Sequence, residues 1–324
     1  MVEYVLSEGE KDATADLADG LLARHPAWDA VERADAVRVE AERLPLGLRQ
    51  FLVAARAAED AVITVSNLPV DADLVPTPAS WRVAEKENAA LREEVVLLLV
   101  ASVLGDPFSW SGQQDGRLVH DVCPSQGQET SLTSASSRAE LTLHTEDVFH
   151  SCRGDYVVLM CLRNPDGVGT SIAGVETADL AEPVREVLRQ DRFRFYADDS
   201  HLPDAYGTGA EEGERPYEEA SVLFGPGEAP YLRIDADFTS ALPGDTEAQR
   251  ALEQCARGLS SATRRLVLRP GTVAFLDNYR VVHGRDVFTP RYDGTDRWLK
   301  RTSVLRDLRR AYVHTRTRSR VLAA

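Results

Sequence analysis

The chain has 324 residues, 43% hydrophobic and 27% charged, which is enough apolar material for a core and an ordinary charge fraction for a globular protein. Its formal net charge of −15 argues against nonspecific nucleic-acid or anionic-membrane binding, because a phosphate backbone must be neutralised by Lys and Arg. The acidic N-terminus MVEYVLSEGEKDATADLADG lacks the apolar run of a secretory signal. The most apolar stretch, VVLLLVASVLG at 95–105, is far short of the roughly 20 residues of a membrane span. With four cysteines and no CxxC pair, a reduced cytoplasmic protein is expected.

Residues 10–60 are rich in Ala, Leu, Glu and Arg at helical spacing, as in LADGLLARH and LRQFLVAARAAED, and predict helices. AVITVSNLPV at 61–70 turns to β-branched residues and closes on Asn-Leu-Pro, a strand entering a turn. The stretch 82–105 returns to helix, with EKENAALREE leading into a buried apolar segment. From Arg117 onward short runs broken by Gly, Pro, Asn and Asp dominate: RLVHDVCP, AELTLHTE, DYVVLMCLRN, VGTSIAGV, RFRFYA, SVLFG, YLRIDADF, RLVLRPGTVAFLDN, RVVHGRDV and RWLKRTSVLRD. They predict an α+β, mostly β fold with a jelly-roll core. Two helices interrupt the strands, one near 178–190 and one at 245–258, where DTEAQRALEQCARG has an Asp start and a Gly stop. The region 198–230 is rich in Gly, Pro and acids and is expected to be a lid, anchored by SHLP and RPY. No repeat or linker divides the chain, so residues 1–324 are expected to form one domain, helical over about 1–60. The basic run RRAYVHTRTRSRVLAA reads as a solvated tail or last strand rather than an RNA arm.

LTLHTEDVFH at 141–150 concentrates ionisable chemistry in an apolar setting. Residues i and i+2 of a strand share a face, so His144 and Glu146 project together, about 7 Å apart at Cα, while Thr145 points away. A half-exposed strand with a polar face would account for these two alone. A third donor shifts the balance: His283 lies between apolar runs in TVAFLDNYRVVHGRDV. His-x-Glu followed by a distant His is the spacing of the two-His, one-carboxylate site, which holds Fe(II) and leaves positions open for substrate and oxygen. Fourteen residues on, Arg297 in DRWLKR offers the two-pronged guanidinium that a dicarboxylate needs. YLRIDADF at 231–238 puts Asp235 and Asp237 on one face of a predicted strand, about 7 Å apart. In a dry site that pair would want a cation; on a wet face it would merely keep the strand soluble.

Together these ordered motifs resemble the Fe(II)- and 2-oxoglutarate-dependent oxygenases, in particular the clavaminate synthase-like branch, where the carboxylate ligand is Glu. HTEDVFHSCRGDYVVLMCLRNPD, QQDGRLVHDVCP, SHLP and DNYRVVHGRDVFTPRYDGTDRWLKR carry the resemblance, over roughly residues 60–310. It is closest in look to the hydroxylases of free amino acids, such as the arginine hydroxylases of viomycin and streptothricin biosynthesis. The resemblance implies a double-stranded β-helix with flanking helices, Fe(II) as cofactor, 2-oxoglutarate and O2 as co-substrates, and a place in antibiotic biosynthesis. It implies His144, Glu146 and His283 as iron ligands. Arg297 would take the distal carboxylate of 2-oxoglutarate, with Thr170 in VGTSIAG as its hydroxyl partner. Arg301 would face the amino acid's carboxylate, Gln113 or Gln114 would lie near its amine with Glu146, and Asp198 would close over the ligand with the lid. In the arginine-hydroxylating relatives a matching aspartate pair receives the guanidinium. A free cationic amino acid is therefore the expected substrate: L-arginine first, with lysine or enduracididine as rivals, attacked at C3 or C4. A neutral amino acid such as asparagine is the further alternative.

The remaining ionisable groups have plainer readings. Asp147, of opposite strand parity to Glu146, is expected beside the site rather than on the metal, and His150 is too far along to reach the same ion. His120, His201 and His314 are expected to be structural or exposed, and Asp277 and Asn278 to make turn or backbone hydrogen bonds. Two other classes compete. A zinc hydrolase accepts the same three ligands but would not need Arg297, and the sequence has no HExxH. A metal-free jelly-roll binding protein would not need the intact trio. Iron halogenases of similar fold replace the carboxylate by a small residue, so Glu146 points to hydroxylation or desaturation.

Overall fold

The computed structural model describes residues 1–129, 136–198 and 215–323. An N-terminal strand, Val2–Val5, leads into three helices, Glu8–Arg24, Ala30–Ala41 and Leu46–Ala57. The first starts where Ser7 and Glu10 form a reciprocal capping box, the second where the Asp29 carboxylate accepts from the Val31 and Glu32 amides. All three pack on Leu91–Leu104, which also lies against the sheet strand Trp298–Leu305. That sandwiched position explains why VVLLLVAS is apolar all round.

An eight-stranded sheet forms the larger wall. Its order is Val2–Val5, Val62–Ser66, Val273–Asp277, Tyr156–Arg163, Trp298–Leu305, Asp106–Trp110 and Val321–Leu322, with His120–Val122 also paired to Trp298–Leu305. The central strand YVVLMCLR divides by parity: Val158, Met160 and Leu162 face the helices, while Val157, Leu159 and Cys161 face inward. A four-stranded sheet, ordered Arg264–Leu266, Thr170–Gly174, Val281–Arg285 and Leu141–His144, contributes Ile172 and Val281 to that inner layer. A three-stranded sheet (Thr239–Ala241, Phe193–Tyr196, Tyr217–Ala220) and the helices Glu182–Leu188 and Thr246–Ser261 surround a separate apolar cluster.

Several expectations change here. DAD is not in a strand: pairing stops at Tyr231–Leu232 apart from an isolated bridge between Asp235 and His144, and the chain then turns. Gly258 does not stop its helix, which runs to Ser261. A side chain there would press on Leu180 and Ala178, so the glycine serves close packing. The C-terminal basic run is neither free tail nor strand alone. It forms the helix Arg309–Thr315 and the strand Val321–Leu322, with Arg310 on Asp155 and Arg320 on Asp35 and Asp106. Residues 199–214 of the expected lid, including SHLP and His201, lie outside the described residues, and 217–220 is a paired strand rather than irregular chain. All four cysteines are free and buried. No helix among the described residues is long and apolar enough to cross a membrane.

Candidate metal centre and active site

One cavity opens between the two larger sheets, and its lining includes every residue expected to bind metal, co-substrate or amino acid. His144 and His283 are direct partners across the pair formed by Leu141–His144 and Val281–Arg285. One extra residue in the first strand makes a bulge immediately beyond them. Gly284 permits it, because a Cβ there would run into the Leu141 carbonyl oxygen. The two rings lie 4.3 Å apart by centroid. Glu146 follows in the turn after the strand, and its Oε2 lies 3.6 Å from His144 Nε2 and 3.5 Å from His283 Nε2. Thr145 points away, as expected, with its hydroxyl accepting from the Ile234 amide.

The surroundings prepare this trio for a metal. The Thr142 carbonyl sits 2.8 Å from His144 Nδ1 and can only accept, so Nδ1 carries a hydrogen and Nε2 is turned to the site. Arg301 Nη1 donates to Glu146 Oε1, so the two carboxylate oxygens divide between an arginine and the site. Burial pushes the Glu146 carboxyl up, but Arg301 and both imidazoles outweigh it and hold it well below the usual range. Burial disfavours a charged His144, yet Glu146 and Asp235 override it and raise it to about 9; burial and His144 lower His283 to about 4. Two imidazoles and one carboxylate on adjoining elements suit a facial set on one Fe(II).

The buried Asn278 was expected to make only turn or backbone bonds, and it does so at a decisive place. Its Oδ1 accepts from the Glu146 amide at 2.9 Å, and its Nδ2 donates to the Glu146 and Gly154 carbonyls at 3.0 and 3.1 Å. We expect Asn278→Asp, which sets a carboxylate oxygen against two carbonyls, to destabilise the fold by about 1–3 kcal/mol and weaken metal binding. Thermal unfolding and Fe(II) titration check this.

Arginines line the same cavity. Arg297 is buried just before Trp298–Leu305, and no hydrogen-bond partner meets its Nε among the described residues. Burial and the neighbouring Arg285 lower its guanidinium to about 10. Arg285 was missed in the sequence, although it stands two residues past His283 on the same strand. It pairs in register with Thr170 and is held by Ser136 and Ala139. The strand register slips between Trp298 and Leu299, so no unbroken pleat aligns Arg297 with Arg301, yet both reach the cavity.

Of the two glutamines, Gln114 is committed to the Asp121 backbone at both ends of its amide, at 3.0 Å each. Gln113 instead donates to Asp147 Oδ1 at 2.9 Å and accepts from Arg301 at 3.4 Å, so it is the one that joins the site. Asp147 adopts φ 51°, which breaks strand parity and turns its side chain toward Gln113, beside the trio. His120, read as structural, carries more: its Nδ1 takes Arg301 Nη2 at 2.9 Å, and its Nε2 lies 3.1 Å from Ser109 Oγ. Burial and Arg301 lower it to about 3, so it is neutral and positions the arginine. Asp198 borders the same cavity. Asp235 and Asp237 also line it, but unequally. Asp235 is buried, with Oδ1 accepting from the amides of Asp237 and Phe238; Asp237 is exposed and accepts from Thr142 at 2.6 Å. Burial raises the Asp235 carboxyl to about 6.

Three comparisons bear on this arrangement. Residues 98–303 match the taurine catabolism dioxygenase TauD, TfdA family. The chain is 39% identical to the enduracididine beta-hydroxylase of Streptomyces hygroscopicus, over 96% of each chain. It is 36% identical to the L-ornithine/L-arginine 3-hydroxylase of Catenulispora acidiphila, over 95% of this chain and 96% of that one. The crystal structure of the non-heme iron oxygenase OrfP in complex with Fe, succinate and (3S)-hydroxy-L-Arg superposes with a TM-score of 0.89 and 35% identity, over 99% of both chains.

Proposed function

From the premise that this chain belongs to the TauD, TfdA family of dioxygenases, we propose that it hydroxylates a free basic amino acid, L-arginine first, at C3 or C4. It is an Fe(II)- and 2-oxoglutarate-dependent oxygenase. In this reading the eight- and four-stranded sheets are the walls of a double-stranded β-helix, residues 1–324 are one oxygenase domain, and the enzyme works in the cytoplasm on a small molecule. The observation that carries the substrate assignment is the shared cavity: His144, Glu146 and His283 line it together with buried Arg297 and buried Asp235.

His144, Glu146 and His283 would hold the iron. Bound there, Fe(II) with 2-oxoglutarate and O2 supplies oxidative decarboxylation to succinate and CO2 coupled to hydroxylation of an unactivated carbon. Arg297, with Thr170 and Arg285 beside it, binds the distal carboxylate in a dry pocket where a two-pronged pair is strong. Arg301 and Gln113 hold the amino acid's carboxylate and amine, Asp198 closes on it, and Asp235 with Asp237 receives the cationic end. Asparagine or glutamine remains the rival substrate class, against which the buried carboxylate of Asp235 speaks, and a zinc hydrolase the rival activity, which would not need Arg297.

The test is succinate release across a panel of free amino acids after anaerobic loading with Fe(II) and 2-oxoglutarate. L-arginine is expected to lead; a neutral amino acid in first place overturns the substrate assignment. We also expect Arg297→Ala to raise the 2-oxoglutarate requirement by about ten- to a hundredfold, the worth of about 1.5–3 kcal/mol for charged hydrogen bonds. Arg301→Ala should mainly raise that of the amino acid. Steady-state kinetics in each ligand separates the two, and equal shifts would show that the roles are shared.

A further inference from the structure

A second group of donors lies apart from the described trio. One donor atom each from His150, Cys152 and His314 lies within 4.8 Å of the others. His150 and Cys152 follow Asp147 in the loop after Leu141–His144, and His314 stands on the C-terminal helix Arg309–Thr315. The first two are buried and the third is exposed, so two donors are dry and the third meets solvent. The arrangement is braced. His150 stacks on Trp110 at 4.0 Å and 13°, meets the His314 ring edge-on at 6.0 Å, and donates its backbone amide to the Asp147 carbonyl at 2.9 Å. Phe108, Leu305 and Leu308 complete the apolar surround of Cys152. The nearby cation Arg310 is turned away, onto Asp155 and the Tyr279 hydroxyl.

We propose that His150, Cys152 and His314 form a second metal site, for a borderline-soft divalent ion such as zinc. Two imidazoles and a thiolate are the donors zinc takes in tetrahedral sites, whereas the trio of two imidazoles and a carboxylate suits Fe(II). Tetrahedral zinc bonds place such donors about 3.3–3.8 Å apart, so small side-chain rotations close the set, and water takes the fourth position on the exposed His314 side. Burial raises the Cys152 thiol, and metal binding would reverse that by taking the thiolate. The ion would tie the C-terminal helix to the loop that carries Glu146 and Asp147, making it a structural clasp for the active-site loop. The assignment stands independently of the hydroxylase reading.

Cobalt(II) is the probe, because the trio around Glu146 contains no sulfur. We expect the full-length, reduced, metal-stripped protein to bind two Co(II) per chain under anaerobic conditions and to show a thiolate-to-cobalt charge-transfer band. His144→Ala should keep the band and lose one ion; Cys152→Ser should lose the band and one ion. His314→Ala changes an exposed residue and so tests the site without disturbing the core. It should weaken the band-forming ion at least about tenfold, since even outer-shell partners are worth that much. One cobalt per chain with no thiolate band, a band surviving Cys152→Ser, or an affinity unchanged in His314→Ala would overturn the proposal.

Discussion

Glu146→Ala is expected to abolish 2-oxoglutarate-dependent hydroxylation, with a loss well beyond a hundredfold, while Asp147→Ala costs only about tenfold. Removing Glu146 takes away the one carboxylate oxygen that faces both His144 and His283 and leaves the half-buried Arg301 without its anion. A direct metal ligand must be worth more than the 10–100-fold of an outer-shell partner. Asp147 acts at one remove. Its loss frees Gln113 from a 2.9 Å hydrogen bond and puts alanine at φ 51°, costs of about 1 kcal/mol each. Succinate release and product mass measure both variants. An inactive Asp147→Ala beside an active Glu146→Ala would reverse the assignment.

The second large effect concerns charge. L-arginine should exceed citrulline in kcat/KM by at least about thirtyfold, or about 2 kcal/mol, because citrulline leaves the buried Asp235 facing no cation. Asp235→Asn should weaken arginine use by a similar amount and leave the 2-oxoglutarate requirement unchanged. The substitution is clean: the Asn oxygen can accept from the Asp237 and Phe238 amides as Asp235 Oδ1 does, so the turn survives and only the charge is lost. Asp237→Asn should matter less, since Asp237 is exposed and already engaged by Thr142. Full activity in both Asn variants, with a neutral amino acid as the best substrate, would reduce the pair to a solvated turn.

What was legible in the sequence, and what was not, follows from the range of the interactions. The alternation in Tyr156–Arg163 and the apolar helix Leu91–Leu104 are local patterns that packing preserved. The trio was legible because His144 and Glu146 are close in sequence and His283 sits in an unmistakable strand. DAD misled because alternating Asp and Ala mimic a half-buried strand, whereas the Asp235 carboxylate captures two amides and makes a turn. Parity argued for Glu146 and against Asp147 as though one strand carried both; the strand stops at His144, and the turn with its left-handed Asp147 still brings Glu146 to the imidazoles. Arg285 could have been found from its two-residue offset to His283. The roles of Asn278 and His120 depend on partners 132 and 181 residues away, and no local pattern announces them.

The most direct measurement is the visible spectrum of anaerobic protein titrated with Fe(II) and then 2-oxoglutarate. The account predicts a weak charge-transfer band that needs both additions, disappears in Glu146→Ala, and requires far more oxoacid in Arg297→Ala. A protein that binds zinc tightly at the trio, shows no such band and cleaves esters or amides would contradict it.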